Sequence, residues 1–202
     1  MKIFKLIVLV ALIGTMLAGC ASTANNVSRI SSDTVTDMSG RWNDTDSRLV
    51  AEQMVTDLVY RPWLSDFMLE MDKKPAVIVG NVRNMSSEHI QTTTFIKDIE
   101  RELINSGKVK FVATSDERKE IRTERDEQQT FASEETAKAI AQETGADFMM
   151  KGTITSITDA IEGKAAVFYQ IDLELINIES NEKVWIGSKE IKKFIARGKT
   201  KW

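Results

Sequence analysis

The chain has 202 residues, 42% of them hydrophobic, with 27 Lys and Arg against 30 Asp and Glu for a net charge of −3. That is enough apolar side chain for a folded core and too little positive charge for a dedicated nucleic-acid binder. A single Cys and a single His exclude an intramolecular disulfide and a Cys/His zinc site of three or four protein ligands, and any histidine-based catalysis would have to run through His89.

The N-terminus reads MKIFKLIVLVALIGTMLAGC, with Lys2 and Lys5 followed by an uncharged apolar run to Leu17. The run is short for a membrane span and has the shape of a signal peptide, residues 1–19. Leu17-Ala18-Gly19-Cys20 is a lipobox. Small residues let the chain lie extended in a peptidase groove, and the Cys20 thiolate is the group that takes the lipid. Several acyl chains on Cys20 would hold the protein stably on a membrane, because each buried CH₂ contributes roughly 0.8 kcal/mol and one chain alone is marginal. Ala21, where an Asp would favour retention in the inner membrane, points to the outer membrane of a two-membrane envelope. Residues 20–45 then read as the lipidated Cys and a flexible tether. They are rich in Ser, Thr, Asn and Asp and free of proline. Fully extended, the stretch Ser22–Asp46 reaches ~80–90 Å; as a relaxed coil it spans ~25–30 Å.

From residue 46 the pattern becomes that of a globular domain, 46–202. Leu49, Val50, Met54, Val55, Leu58 and Val59 recur at helical spacing, with Asp46 or Ser47 placed to cap them. Pro62 suits the first position of a second helix, whose apolar stripe is Trp63, Leu64, Phe67, Met68 and Met71. Ala76–Val79 reads as a buried strand, Thr92–Ser106 as a helix closed by Gly107, and Val109–Ala113 as a second strand. Such a crossover makes two parallel strands. Thr114-Ser115-Asp116-Glu117 is a capping box. Ten of the twelve residues Asp116–Glu127 are charged with both signs mixed, the composition of a solvated helix. A further helix is expected over Ser133–Thr144. The last third reads as three strands: Phe148–Ile157, Ala165–Ile178 and Val184–Ile195, joined by turns at Glu162-Gly163 and Ser180-Asn181. The middle one alternates, with Val167, Tyr169, Ile171, Leu173 and Leu175 on one face and Phe168, Gln170, Asp172 and Glu174 on the other. Short turns make these an antiparallel meander, and the tail Arg197–Trp202 is expected to fray. The predicted class is α+β: a mixed sheet built from a strand–helix–strand crossover and a meander, with flanking helices.

Chemical motifs are scarce. Dinucleotide and phosphate loops, H-E-x-x-H and G-x-S-x-G do not occur. His89 sits in a polar loop, Ser86-Ser87-Glu88-His89. Of the carboxylate pairs, Glu100 and Glu102 do not share a helix face, and Asp172 and Glu174 share the polar face of a strand. Both pairs read as surface charge and not as a glycosidase pair. No catalytic residue, metal ligand or cofactor is assigned, and the protein is expected not to be an enzyme.

Residues from about Met38 to Ile195 resemble the LpoB family, lipoprotein activators of penicillin-binding proteins. The likeness rests on SGRWNDTDSRLVAEQM, RPWL, VIVGNVRN, INSGKVKFV, ASEETAKAIAQETGADFMMKGTI and YQIDLELINIESNEKVWIG, and Cys20 matches the family's lipidated cysteine. It implies a fold similar to the TolB N-terminal domain and a partner, a class A penicillin-binding protein whose peptidoglycan synthesis is stimulated. It also implies an outer-membrane location facing the periplasm, and no nucleic-acid partner. Better-studied members carry a long proline-rich tether, and this one is short and proline-free. Two other readings stand beside it: a pore-forming secretion subunit similar to the curli channel, and an envelope adaptor or small-ligand binder of unknown partner. No interface residue transfers by position. The neighbourhoods Arg41–Asp46 and Arg61–Trp63 are the first candidates, because Arg and Trp often anchor interfaces.

Overall fold

The computed structural model describes residues 27–131 and 145–196. The expected signal peptide, Cys20, the helix over Ser133–Thr144 and the tail from Arg197 lie outside the described residues.

The first helix, α1 (Asp44–Val59), starts two residues earlier than its expected cap. Asn43 Oδ1 accepts the Asp46 N–H at 3.1 Å and Asp46 Oδ2 accepts the Asn43 N–H at 2.9 Å. Asp46 therefore serves inside the first turn, as the return half of a capping box, and Asn43 is the cap. Val50, Ala51, Met54, Val55 and Leu58 form the buried stripe, while Leu49, expected among them, is 45% exposed. Helix α2 (Pro62–Met71) has Pro62 at its first turn. Trp63 and Leu64 are buried, and the Trp63 indole donates to Leu58 O at 2.8 Å. Met68 and Met71, expected inward, are exposed: the burial is confined to the first half of this short helix, and Asp72 in the left-handed region ends it.

Strand β1 (Ala76–Asn84), helix α3 (Thr92–Ser106) and strand β2 (Lys110–Phe111) form the expected crossover, with β1 and β2 parallel. Gly107 closes α3 at φ 62°, its N–H bonded to Ile104 O, a conformation that costs glycine little. Only two residues of the expected Val109–Ala113 strand pair, though Val112 N–H still reaches Val77 O at 2.9 Å. Helix α4 (Ser115–Phe131) opens with the expected capping box: Thr114 N–H donates to Glu117 Oε2 at 2.8 Å. The bond from the Thr114 backbone, then Lys97 Nζ 3.0 Å from Oε1, depress the Glu117 pKa to about 2.

Strands β3 (Phe148–Ile161), β4 (Lys164–Asn177) and β5 (Lys183–Ala196) make the meander, each fourteen residues long. The five-stranded sheet runs β2-β1-β3-β4-β5, with β1 parallel to β3 and a register shift between Val79 and Val82. One face carries Val77, Val79, Phe148, Met150 and the five odd-numbered residues of β4 named from the sequence, and all are buried in a single core shared with α1, α2 and α3. At Gly152 a Cβ would stand 2.6 Å from Asp172 O, so the glycine lets β3 and β4 meet closely there.

The chain packs as part of this body from Val35 onward, ten residues before the expected end of the tether. The Trp42 ring stands edge-on to Phe95 at 6.0 Å and to Tyr169 at 5.8 Å. The polar residues around it read as a leash because they bond through side chains and leave no periodic pattern. No helix among the described residues is long and apolar enough to cross a membrane.

Candidate interaction surface

Two polar locks fix the N-terminal segment on the sheet. Lys193 Nζ, on a side chain only 9% exposed, lies 2.6 Å from Asp37 Oδ1 and 2.6 Å from Asp46 Oδ2, and donates to Arg41 O at 3.1 Å. Burial works against its ammonium, but the two carboxylates hold its pKa above the ordinary lysine value. Lys193 in turn lowers the Asp37 pKa, assisted by Asn43. In the second lock Glu88 accepts the Tyr169 hydroxyl at 2.6 Å and the Trp42 N–H at 3.2 Å. Burial, then the Glu88 carboxylate, push the Tyr169 pKa up.

The carboxylates weighed from the sequence are engaged elsewhere. Glu100 is buried and bonded by Lys97 at 2.6 Å; Glu102 stands 3.5 Å from Arg101. Asp172 accepts from Gln170 at 2.9 Å and Glu174 from Lys183 at 2.7 Å. His89 is exposed beside Glu88. No group of three or more His, Cys, Asp or Glu among the described residues is placed to hold a metal.

The Arg and Trp residues singled out as possible anchors are mostly committed to the fold. Trp63 is buried, Trp42 packs on Phe95 and Tyr169, and Arg61 Nε bonds Asp57 Oδ2 at 3.1 Å. The Arg61 guanidinium lowers the Asp57 pKa, burial opposes it, and the Trp185 indole, 3.0 Å from Oδ2, adds to the lowering.

Three other features offer surface. On the sheet face opposite the core, Asn81, Arg83, Lys151, Thr153, Asp172 and Glu174 line a polar hollow of about 320 Å³. Beside the α1–α2 corner, an apolar groove of about 600 Å³ runs past Tyr60, Leu64 and Met68. The third lies along the free edge of the sheet. There Leu49, Val50, Gln53 and Thr56 of α1 face Lys189 and Ile191 of β5 across a groove of about 490 Å³. Sequence reasoning placed β5 but not this edge. Its signal was the scatter of four lysines and Glu190 among the apolar residues of the strand, a pattern typical of guarded edges.

The sequence matches the family model described as "Peptidoglycan-synthase activator LpoB" over residues 46–191. No curated protein matches it significantly. Solved structures with similar folds include the LpoB C-terminal domain from Escherichia coli. It is 15% identical, with 72% of this chain and 98% of that one covered and a TM-score of 0.43. The corresponding domain from Salmonella enterica is 15% identical over 64% of this chain and 93% of that one, with a TM-score of 0.36. The NMR structure of E. coli LpoB is 13% identical, covers 90% and 88%, and gives a TM-score of 0.39.

Proposed function

Because the chain belongs to the LpoB family of peptidoglycan-synthase activators, we propose that it binds a class A penicillin-binding protein and stimulates its glycan polymerisation. In this reading Cys20 carries the lipid that anchors it in the outer membrane, facing the periplasm. The match over residues 46–191 carries the reading. It spans the described body from the first turn of α1 through most of β5. The protein acts through binding alone. A stimulator of this kind must favour the active conformation of its target over the inactive one, since equal affinity for both shifts nothing.

The test is a lipid II polymerisation assay with a class A synthase from the same organism and the chain from residue 21, purified without its lipid. The expected result is a faster polymerisation rate that saturates with added protein, with no glycan hydrolysis by the protein alone. An unchanged rate and no binding, with a folded preparation, would remove the activator reading and leave an envelope adaptor.

A further inference from the structure

The strands of the meander are fourteen residues each, about 45 Å from end to end, and the core underlies only part of that length. The last buried residue of β3 is Ile154 and the first of β4 is Val167, so the β3–β4 hairpin runs on past the packed body. On the face turned away from the core, Ile157 stands in register with Phe168 and Lys192, Ala166 with Phe194, and Ile161 with Lys164. Ile157, Ile161 and Phe194 are 68%, 73% and 70% exposed. Large apolar side chains grouped this way in water mark a contact surface.

The place where the chain enters the body selects the occupant. Asp37 and Arg41 O hold Lys193, and Gly40 passes so close to Ile195 that a Cβ would overlap it. The body begins at Val35, hence beside the last residues of β5, at the hairpin end of the sheet and not at the Lys183 end. Met38, between those contacts, is 91% exposed. A lipid on Cys20 would therefore draw the hairpin end toward the membrane. Charge agrees. With Lys193 left aside, residues 157–168 and 190–202 hold five Lys and Arg against three Asp and Glu, in a chain whose net charge is −3. Lys164 and Lys192 have no ion-pair partner among the described residues.

We propose that the hairpin end of the meander rests on a phospholipid membrane, with Ile157, Ile161 and Phe194 in the headgroup layer and Lys164 and Lys192 against acidic headgroups. The inference rests on the anchoring by Cys20 proposed above. Apolar burial at the interface and attraction to acidic lipid act together in such contacts. The contact is weak and reversible, so it orients an anchored protein and does not replace the anchor. It stands the long axis of the sheet away from the membrane and points the Lys183 end outward, toward a partner.

The experiment mixes the chain from residue 21, purified without lipid, with vesicles of phosphatidylcholine alone or of phosphatidylcholine and phosphatidylglycerol in equal parts, and reads the bound fraction by sedimentation. Binding to the mixed vesicles is expected, weaker in high salt and on phosphatidylcholine alone. Ile157→Thr with Phe194→Thr should lower that binding about tenfold and leave the thermal midpoint unchanged, because both side chains stand in water. Lys192→Glu should weaken it on the mixed vesicles only. The chain from residue 21 has no cysteine, so an environment-sensitive dye on Ile161→Cys or on Ser180→Cys reports one end of the sheet each, and only the first should shift to the blue. No binding to either vesicle, unchanged binding by the double variant, or a blue shift at Ser180→Cys alone would overturn the proposal. Self-association that the double variant abolishes, without vesicle binding, would overturn it in favour of a second copy. Loss of synthase stimulation in the double variant would overturn it in favour of the synthase. The two readings fail separately: an unacylated Cys20 overturns the anchor, while vesicle binding by the unlipidated chain decides the contact.

Discussion

Lys193 shows how one residue can hold a segment that looks free. It sits on the core-facing side of β5, in phase with Trp185 and Ile191, where a lysine conflicts with the strand's own pattern. That conflict is visible in the sequence. Its resolution, Asp37 and Asp46 about 150 positions away, is not, because nothing local announces a pairing across the whole chain. The same holds for Glu88 and Tyr169. Replacing Lys193 with Met would strand Asp46, which is only 6% exposed, without its cation. Breaking a buried pair from one side costs about 3 kcal/mol or more, so the midpoint should fall by roughly 6–12 °C at ~2–4 °C per kcal/mol. The pH dependence has two ends. Asp37 is lowered from 3.8, so its share of stability is present above that value and is lost as pH falls through the folded pKa. Lys193 is raised from 10.5, so its share is complete below that value and is lost as pH rises through the folded pKa. The gap between parent and Lys193→Met should therefore be flat through neutral pH and narrow at both extremes. Thermal melts from pH 3 to 11 check this, and a gap constant across the range would contradict it.

Elements with a strong internal period were legible almost to the residue. The alternation of β4 predicted which five side chains are buried, and the apolar spacing with Gly107 predicted α3 to both ends. The misses occur where a side chain or a neighbouring strand overrides the period. Asp46 turned back to cap Asn43, Leu49 fell on the groove side of α1, and β2 pairs over only two residues. The largest consequence concerns the element boundary at residue 46. A fragment beginning there lacks Asn43, Trp42 and Asp37. Losing a cap costs about 1 kcal/mol, and losing a packed Trp about 3–5 kcal/mol. The 46–202 fragment should melt at least about 8 °C below a fragment beginning at Val35, taking ~2–4 °C per kcal/mol. Differential scanning calorimetry of the two decides it. Equal midpoints would show that residues 35–45 add nothing to the fold.

At the scale of the whole molecule, the crossover and meander were legible as an α+β plan, because each depends on short connections between neighbouring elements. The order of strands across the sheet, and hence which edge stays open, was not, since it is set by packing between segments far apart in sequence. The packing of residues 35–45 also moves the start of the body ahead of the boundary expected at residue 46. Under the anchoring proposed above, residues 20–34 would separate the lipid on Cys20 from the body that starts at Val35, a contour of at most ~55 Å when fully extended. Such anchoring would keep the body within that distance of the membrane and raise its effective concentration toward any partner reaching that layer. The role proposed for Cys20 is thus separable from the fold. Cys20→Ser should abolish incorporation of radiolabelled fatty acid, leave residues 1–19 uncleaved and remove the protein from the outer-membrane fraction. The same body, purified without lipid, should stimulate the synthase in solution as before, because anchoring alters encounter and not the contact itself. Fatty-acid label in the Ser variant, or none in the parent, would show that Cys20 is not the lipidated residue.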